Sequence, residues 1–259
     1  MNSIRTAGPA LALLLLLPFA PVRGGEAGYL GADGNLQTVD TSYDLPGSDA
    51  GVGLEQKTPV GKALGLMHAG KLEEADKALD EVLARFATLM PDADRTYVCF
   101  ARDTDYEQFL REERNGKGAG AAGKVTRVHG AFAQALQAKA FIASARRQWA
   151  QALEYLKRKM VHAPYDAGPY IEAGYMLNAQ GKPAEALKSY QRGYALTVAH
   201  GAPKIEQAVA LRGIGCSQIE LGQLEEAAST FRKSLELAPN NRVALNELEY
   251  IRRLKAGER

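Results

Sequence analysis

Apolar residues return every three or four positions through most of this chain, a spacing that predicts amphipathic helices. The pattern runs through residues 56–89 and again through residues 133–241. Residues 242–259 continue it and predict a closing helix. The apolar side of that last helix is expected to carry Val243, Leu245, Leu248 and Ile251. Successive helices of this kind indicate an all-α fold.

The helical pattern also repeats along the chain. Ala152 recurs as Ala186 34 residues later, and Leu156 recurs as Tyr190 at the same spacing. The next copy follows after 41 residues, which is the same period lengthened by an insertion at residues 201–207. A fixed period of this size predicts stacked supersecondary units, because each unit exposes an apolar face that only its neighbour can bury.

Four copies of the unit carry small, large and aromatic residues at matching places. They are Ala63, Gly70, Ala75 and Leu79; Ala140, Ala152, Leu156 and Pro164; Tyr170, Ala173, Gly174, Ala186, Tyr190 and Gly193; and Leu211, Ile214, Gly215, Ala227, Phe231, Ser234 and Pro239. In this pattern the chain resembles the tetratricopeptide-repeat family, in its exported bacterial form. The resemblance implies an α-solenoid of stacked antiparallel helix pairs with a C-terminal capping helix. Lys159 and Val198 depart from it, since they stand where a small residue and a closing proline are expected.

The pattern divides the chain into consecutive segments. The predicted segments are a signal peptide at 1–24, a Gly/Asp-rich linker or extended arm at 25–55, a divergent first repeat at 56–89, an irregular insertion at 90–132, repeats at 133–166, 167–200 and 208–241, and a capping helix at 242–259. The insertion contains a glycine-rich loop and either a helix lying across the stack or a short strand at Thr96–Phe100. After the glycines, residues 125–147 are expected to form one long helix.

The first residues predict export. Arg5 precedes the apolar run Ala10–Ala20, which is short for a membrane span and is followed by small residues. The expected location is the periplasm or the cell exterior, without lipidation because no cysteine stands near the cleavage site. An uncleaved membrane anchor is the alternative.

The charge balance bears on the kind of partner. The chain has 32 basic and 30 acidic residues, and loss of Arg5 and Arg23 with the signal would leave equal numbers. No basic stripe is visible, so nucleic-acid binding, which depends on contacts with phosphates, is not expected. We therefore expect another protein or a peptide segment as the partner.

No catalytic, cofactor or metal site is expected from the sequence. His162 and Asp166 are four residues apart, but Pro164 breaks the helix that would align them. The glycine-rich loop ends in Gly-Lys-Val rather than the Gly-Lys-Ser/Thr of a phosphate loop. The two cysteines, Cys99 and Cys216, lie in apolar runs and are interpreted as buried free thiols, with a disulfide as the alternative.

The first helices of the repeats are expected to line a concave groove that binds a partner. The candidate groove residues are Gln134, Gln137, Phe141, Ser144, Ile171, Tyr175, Asn178, Arg212, Cys216 and Ile219. Members of the family that grip a C-terminal carboxylate use Lys, Arg and Asn in the groove. Asn178 and Arg212 match that pattern in part, whereas Gln137 and Phe141 stand where it has Lys and Asn.

These observations favour an exported protein-binding scaffold, within an envelope assembly, secretion or polysaccharide-export complex. Three alternatives remain: a structural subunit or homo-oligomer assembled through its outer surface and N-terminal arm, an accessory domain that controls a separate enzyme, and an enzyme. Packing between helices is the alternative role for Tyr175 and Phe141.

Overall fold

The structure is a computed structural model that describes residues 20–21, 27–30, 36–39, 51–115 and 124–257, the first three ranges by backbone alone. The chain divides into a central unit, Thr41–Asp166, and a C-terminal unit in which Ala167–Arg259 is grouped with Met1–Asp40. The predicted signal peptide lies largely outside the described residues. None of the helices in the described ranges combines the length and the apolar character needed to cross a bilayer.

Helices make up most of the described chain, which confirms the all-α repeat fold. The helices are α1 (Lys57–His68), α2 (Leu72–Leu89), α3 (Asp103–Arg114), α4 (Ala131–Ala145), α5 (Trp149–His162), α6 (Gly168–Ala179), α7 (Pro183–Ala199), α8 (Lys204–Glu220), α9 (Leu224–Leu237) and α10 (Arg242–Ala256). The strands are β1 (Ala20–Pro21), β2 (Ala27–Leu30), β3 (Leu36–Val39), β4 (Thr96–Val98) and β5 (Val125–Arg127). Helices α1/α2, α4/α5, α6/α7 and α8/α9 pack as pairs.

Close packing within the pairs depends on a small residue facing a large one. A Cβ added to Gly174 of α6 would lie 2.7 Å from the ring of Tyr190 on α7, and one added to Gly215 of α8 would lie 2.7 Å from the ring of Phe231 on α9. Tyr190 also meets Gly213 of α8, where an added Cβ would lie 2.2 Å from its ring. Tyr190 is therefore held between glycines of two successive repeats.

The turn inside each helix pair requires a left-handed backbone. Gly70, Gly181 and Gly222 provide it, with φ values of 74°, 72° and 76°. Glycine adopts this conformation without strain because it has no Cβ. The turn between α4 and α5 places Arg147 at φ 58° instead. That turn therefore carries backbone strain that the other three avoid.

The insertion in the central unit contains a parallel two-stranded sheet, which includes the strand alternative expected near Thr96. Strand β4 pairs with β5 in the register Thr96↔Val125 to Val98↔Arg127, and Val52 adds an isolated parallel bridge to Val128. Parallel strands need a crossover connection, and α3 lies within it. Residues 125–127 are thus strand, and the prediction of one long helix over 125–147 is wrong. Helix α4 begins only at Ala131.

An aromatic cluster holds α3 against the rest of the central unit. The ring centroid of Phe100 lies 5.8 Å from that of Tyr106, 5.4 Å from Phe109 and 5.2 Å from Tyr165. The hydroxyl of Tyr165 donates to Glu112 Oε2 at 2.6 Å. These contacts give α3 an apolar anchor that the repeat pattern does not provide.

A charged network lies between α2 and α4. The buried Lys139 ammonium contacts Asp76 and lies 2.6 Å from Asp80 Oδ1, and Arg146 Nη1 lies 2.5 Å from Asp76 Oδ2. Burial raises the pKa of Asp76, but hydrogen bonds from Lys139 and Arg146 outweigh it, so the pKa lies below its ordinary value of 3.8. Two cations therefore hold one carboxylate ionised at this interface.

Helix α10 closes the last repeat, and its ends are well defined. The Asn241 side chain caps it by accepting a hydrogen bond from Ala244 N at 3.0 Å, and Gly257 ends it in the left-handed conformation. Ala244 and Ile251 are buried against the repeat. Leu245 is exposed, so its expected place on the packed side is wrong.

The segment at 25–55, expected to be a linker or arm, contains two short strands among its described residues. Strand β2 pairs antiparallel with β3, from Ala27↔Val39 to Leu30↔Leu36, and with β1 on its other edge. The sequence shows no alternation that predicts these strands. Val52 joins the β4–β5 sheet, where Gly51, at φ 123°, lets the backbone approach: an added Cβ would lie 2.9 Å from His129 N.

Candidate functional site

Six of the ten candidate groove residues belong to the C-terminal unit. Ile171, Tyr175 and Asn178 share one face of α6, and Arg212, Cys216 and Ile219 share one face of α8, because their spacings of three and four bring them into line. We name this set the α6–α8 face. Ile171 and Cys216 are buried core residues, whereas Tyr175, Asn178 and Ile219 are half-buried.

A hydrogen bond joins the two helices of the α6–α8 face. Asn178 Nδ2 donates to Ser217 Oγ at 2.9 Å, and the Gly213 carbonyl oxygen lies 3.0 Å from the same hydroxyl as an acceptor. Asn178 retains amide capacity beyond this bond, since its side chain has two N–H donors and a carbonyl oxygen. The bond fixes the Asn178 side chain beside α8.

Arg212 is the exceptional residue of this face. Its side chain is 4% exposed, and its Nε and Nη1 atoms have no hydrogen-bond partner in the described residues. Among those residues no carboxylate lies within ion-pair distance of it. Burial lowers the pKa of the Arg212 guanidinium to about 10, so it remains charged at neutral pH. A buried charge without a counter-ion is costly, because removal from water is not compensated.

The other four candidates, Gln134, Gln137, Phe141 and Ser144, lie on α4 in the central unit and are half-buried. Gln137 Oε1 accepts a hydrogen bond from Lys159 Nζ at 2.7 Å, and Phe141 packs against the central core. The packing role considered for Phe141 is therefore present. Tyr175 likewise packs against the core of the C-terminal unit.

The buried thiols are poorly suited to nucleophilic chemistry. Cys99 and Cys216 are both free and buried. Burial raises the pKa of Cys99 to about 12 and that of Cys216 further, so neither is a thiolate at neutral pH. In the described ranges no three His, Cys, Asp or Glu side chains are grouped to hold a metal ion. Asp166 instead pairs with Lys159, at 2.8 Å.

Sequence reasoning missed a second group of polar residues, in the central unit. Arg95, Tyr97, Arg158 and His162 line a cavity of about 340 Å³ beside α2. The spacing of Arg158 and His162, four apart on α5, was a readable sign that they share a face. Arg95 and Tyr97 reach the same place through the β4–β5 pairing, which the sequence does not reveal.

Comparison with known families identifies the repeats. Residues 166–240, which include α6 to α9, match the family profile described as "Tetratricopeptide repeat". The chain is a tetratricopeptide-repeat protein. The match covers the two helix pairs whose small and large residues interlock. The tetratricopeptide repeats thus form the scaffold that carries Asn178 and Arg212.

Solved tetratricopeptide structures resemble the chain more distantly. The first such domain of Spaghetti (RPAP3), bound to the HSP90 peptide SRMEEVD, is 25% identical with a TM-score of 0.43, covering 48% of this chain and 93% of that one. The first domain of human RPAP3 gives 25% identity and a TM-score of 0.44, covering 49% and 94%.

The APC/C hetero-tetramer Cut9–Hcn1 gives 15% identity and a TM-score of 0.43, covering 77% of this chain and 36% of that one. At these scores the similarities are too distant to transfer the partners of those proteins. Among curated proteins, comparison of the sequence finds no match.

Proposed function

We propose that the chain is a protein-binding scaffold, not an enzyme, whose C-terminal unit holds a segment of a partner protein by a carboxylate placed against Arg212. The observation that carries this proposal is the buried guanidinium with two unpaired nitrogen atoms. A carboxylate in this position would supply the missing counter-ion and accept charge-assisted hydrogen bonds, which are among the strongest in proteins. Natural folds keep such an uncompensated charge chiefly where it serves a function.

The neighbours of Arg212 suit a peptide better than a free ion. Asn178 offers an amide that can pair with a peptide backbone, while half-buried Tyr175 and Ile219 offer apolar contact. This combination of an aromatic anchor, an amide and an arginine is typical of protein interfaces.

The proposed site differs from the full carboxylate clamp of the family. Gln137 and Phe141 replace the expected Lys and Asn, and both are engaged in contacts within the central unit. We therefore propose recognition centred on Arg212 and Asn178 alone. An acidic side chain of the partner would serve as well as its terminal carboxylate.

The test compares three full-length proteins: the natural chain, Arg212→Met and Arg192→Gln. Arg192 is an exposed arginine of α7 and serves as the matched control. Partners are recovered by affinity purification from the native cells and identified by mass spectrometry. Direct binding of the identified segment, and of the same segment with its carboxylate neutralised, is then measured by calorimetry.

The expected result is loss of partner binding in Arg212→Met by about 10-fold or more, since a charged hydrogen bond contributes about 1.5–3 kcal/mol. Arg192→Gln should bind normally. Because Arg212→Met removes a buried unpaired charge, its free energy of unfolding should not fall. Equal binding by folded Arg212→Met, or equal binding of the neutralised segment, would contradict the proposal.

We also propose that the chain is exported and acts in an envelope assembly, secretion or polysaccharide-export complex. The support is the apolar run Ala10–Ala20 with Arg5 before it and small residues after it. Mass spectrometry of the protein isolated from its native cells tests this. Export predicts a mature N-terminus near Gly25 in the periplasmic or external fraction, and an intact Met1 in the cytosolic fraction contradicts it.

A further inference from the structure

The cavity of about 340 Å³ in the central unit has the dimensions of a small-molecule site. Such sites have volumes of about 300–1,000 Å³ and combine apolar walls with a few converging polar groups. One wall here is apolar and includes Leu83, Met90 and Phe132. The opposite wall is formed by the insertion and α5, so the cavity is distinct from the α6–α8 face and does not rest on the function proposed for it.

The polar wall carries more positive than negative charge. Arg95 Nε lies 3.8 Å from Asp92 Oδ2, and the same carboxylate lies 4.0 Å from Lys124 Nζ. Arg158 has no carboxylate within ion-pair distance among the residues that the structure describes. One carboxylate therefore faces two cations, and a third cation at the cavity is uncompensated. This balance attracts an anion.

Hydrogen bonds hold the polar groups in place. Arg95 Nη1 donates to Thr126 Oγ1 at 2.9 Å, which fixes its guanidinium beside β5. Asp92 N donates to the Tyr97 hydroxyl at 3.3 Å, which leaves the hydroxyl proton available to a ligand. Two guanidinium groups and one hydroxyl are thus the donors of this wall.

His162 is fixed at the same wall. Its Nδ1 lies 2.8 Å from the Tyr97 carbonyl oxygen, and its ring packs edge-on against Phe132 with centroids 5.0 Å apart. Since a carbonyl accepts, Nδ1 carries the proton. Burial lowers the pKa of His162, and Arg158 lowers it further against the opposing effect of the Tyr97 carbonyl. The neutral imidazole therefore reports on any anion that enters.

We propose that this cavity binds a small organic anion, a carboxylate or phosphate joined to a compact apolar group. The anionic group pairs with Arg158 and Arg95, and the apolar group lies against Leu83, Met90 and Phe132. The arginines alone would bind any anion weakly, because water competes for them. The adjoining apolar wall selects a ligand that has both parts.

The experiment uses the full chain and four probes: benzoate, phenyl phosphate, inorganic phosphate and benzyl alcohol. Calorimetry measures binding to the natural protein, to Arg158→Gln and to Lys157→Gln. Lys157 is the next residue on α5, is exposed, and lies 3.9 Å from Glu154, so its variant makes the same charge change outside the cavity. Circular dichroism checks that both variants are folded.

The expected result is saturable binding of benzoate or phenyl phosphate that weakens about 10-fold in Arg158→Gln, as loss of a charge-assisted hydrogen bond predicts, and is unchanged in Lys157→Gln. Binding should also raise the pKa of His162, measured by NMR, because an anion favours the imidazolium. Absence of saturable binding overturns the proposal, as does equal weakening in both variants. Equal affinity for benzyl alcohol or for inorganic phosphate overturns it too, since either removes one half of the recognition.

Discussion

Replacing Gly174 with alanine is expected to destabilise the C-terminal unit by about 2 kcal/mol, although alanine is the better helix former. The added Cβ would lie 2.7–2.8 Å from three ring atoms of Tyr190. The ring has no room to withdraw, because on its other side a Cβ added to Gly213 would lie 2.2 Å from it. The new methyl group therefore forces the helices apart.

The magnitude is the balance of two effects. Overpacking a core costs about 1–3 kcal/mol, and the confined ring places this site near the upper end. Replacing glycine by alanine inside a helix returns about 1 kcal/mol. Gly65 of α1 isolates the second effect, because nothing lies within 4 Å of an added Cβ there. Gly65→Ala should therefore stabilise the protein by about 1 kcal/mol.

Urea unfolding followed by circular dichroism measures both variants. A third comparison adds Tyr190→Leu, the residue that Leu156 provides at the same place one repeat earlier. The double variant Gly174→Ala/Tyr190→Leu should be more stable than the sum of the single effects predicts, by about 1 kcal/mol, because the two changes relieve one clash. If Gly174→Ala were as stabilising as Gly65→Ala, the argument from small and large residues would be refuted.

Two further predictions concern the central unit. Because the pKa of Asp76 is lowered by Lys139 and Arg146, its contribution to stability is present above the unfolded pKa of about 3.9 and is lost as the pH falls through the folded pKa. In urea unfolding at pH 7 to 2.5, Asp76→Asn should therefore lose less stability than the natural chain, and parallel curves would contradict this. Arg147→Gly should raise the free energy of unfolding by about 0.5–1 kcal/mol, because glycine relieves the left-handed strain at φ 58°; an unchanged or lower value in the same assay would count against it.

The repeats were predictable because their determinants are local. Gly174 and Tyr190 are 16 residues apart, and the 34-residue period displays the same relation again at Gly215 and Phe231. The insertion was not, because β4 and β5 are three residues long and depend on each other across the chain. A β-branched run such as residues 125–127 fits a strand or the start of a helix equally well from its own sequence.

The candidate site shows the same division. The place of Arg212 on a first helix follows from the repeat, but its lack of a partner depends on everything packed around it. Likewise, the spacing of Arg158 and His162 was readable, while their meeting with Arg95 depends on the sheet. The identity of a residue on a repeat is local information, and its electrostatic surroundings are not.

The sheet of the central unit also sets how that unit can fold. Its pairings join Val52 to Val128 and Thr96 to Val125, so distant parts of the chain must meet before any strand gains a neighbour. The helix hairpins of the C-terminal unit need only sequence neighbours. Since long loops close slowly, the central unit should have the higher contact order and form last, even though a ribosome releases most of it first.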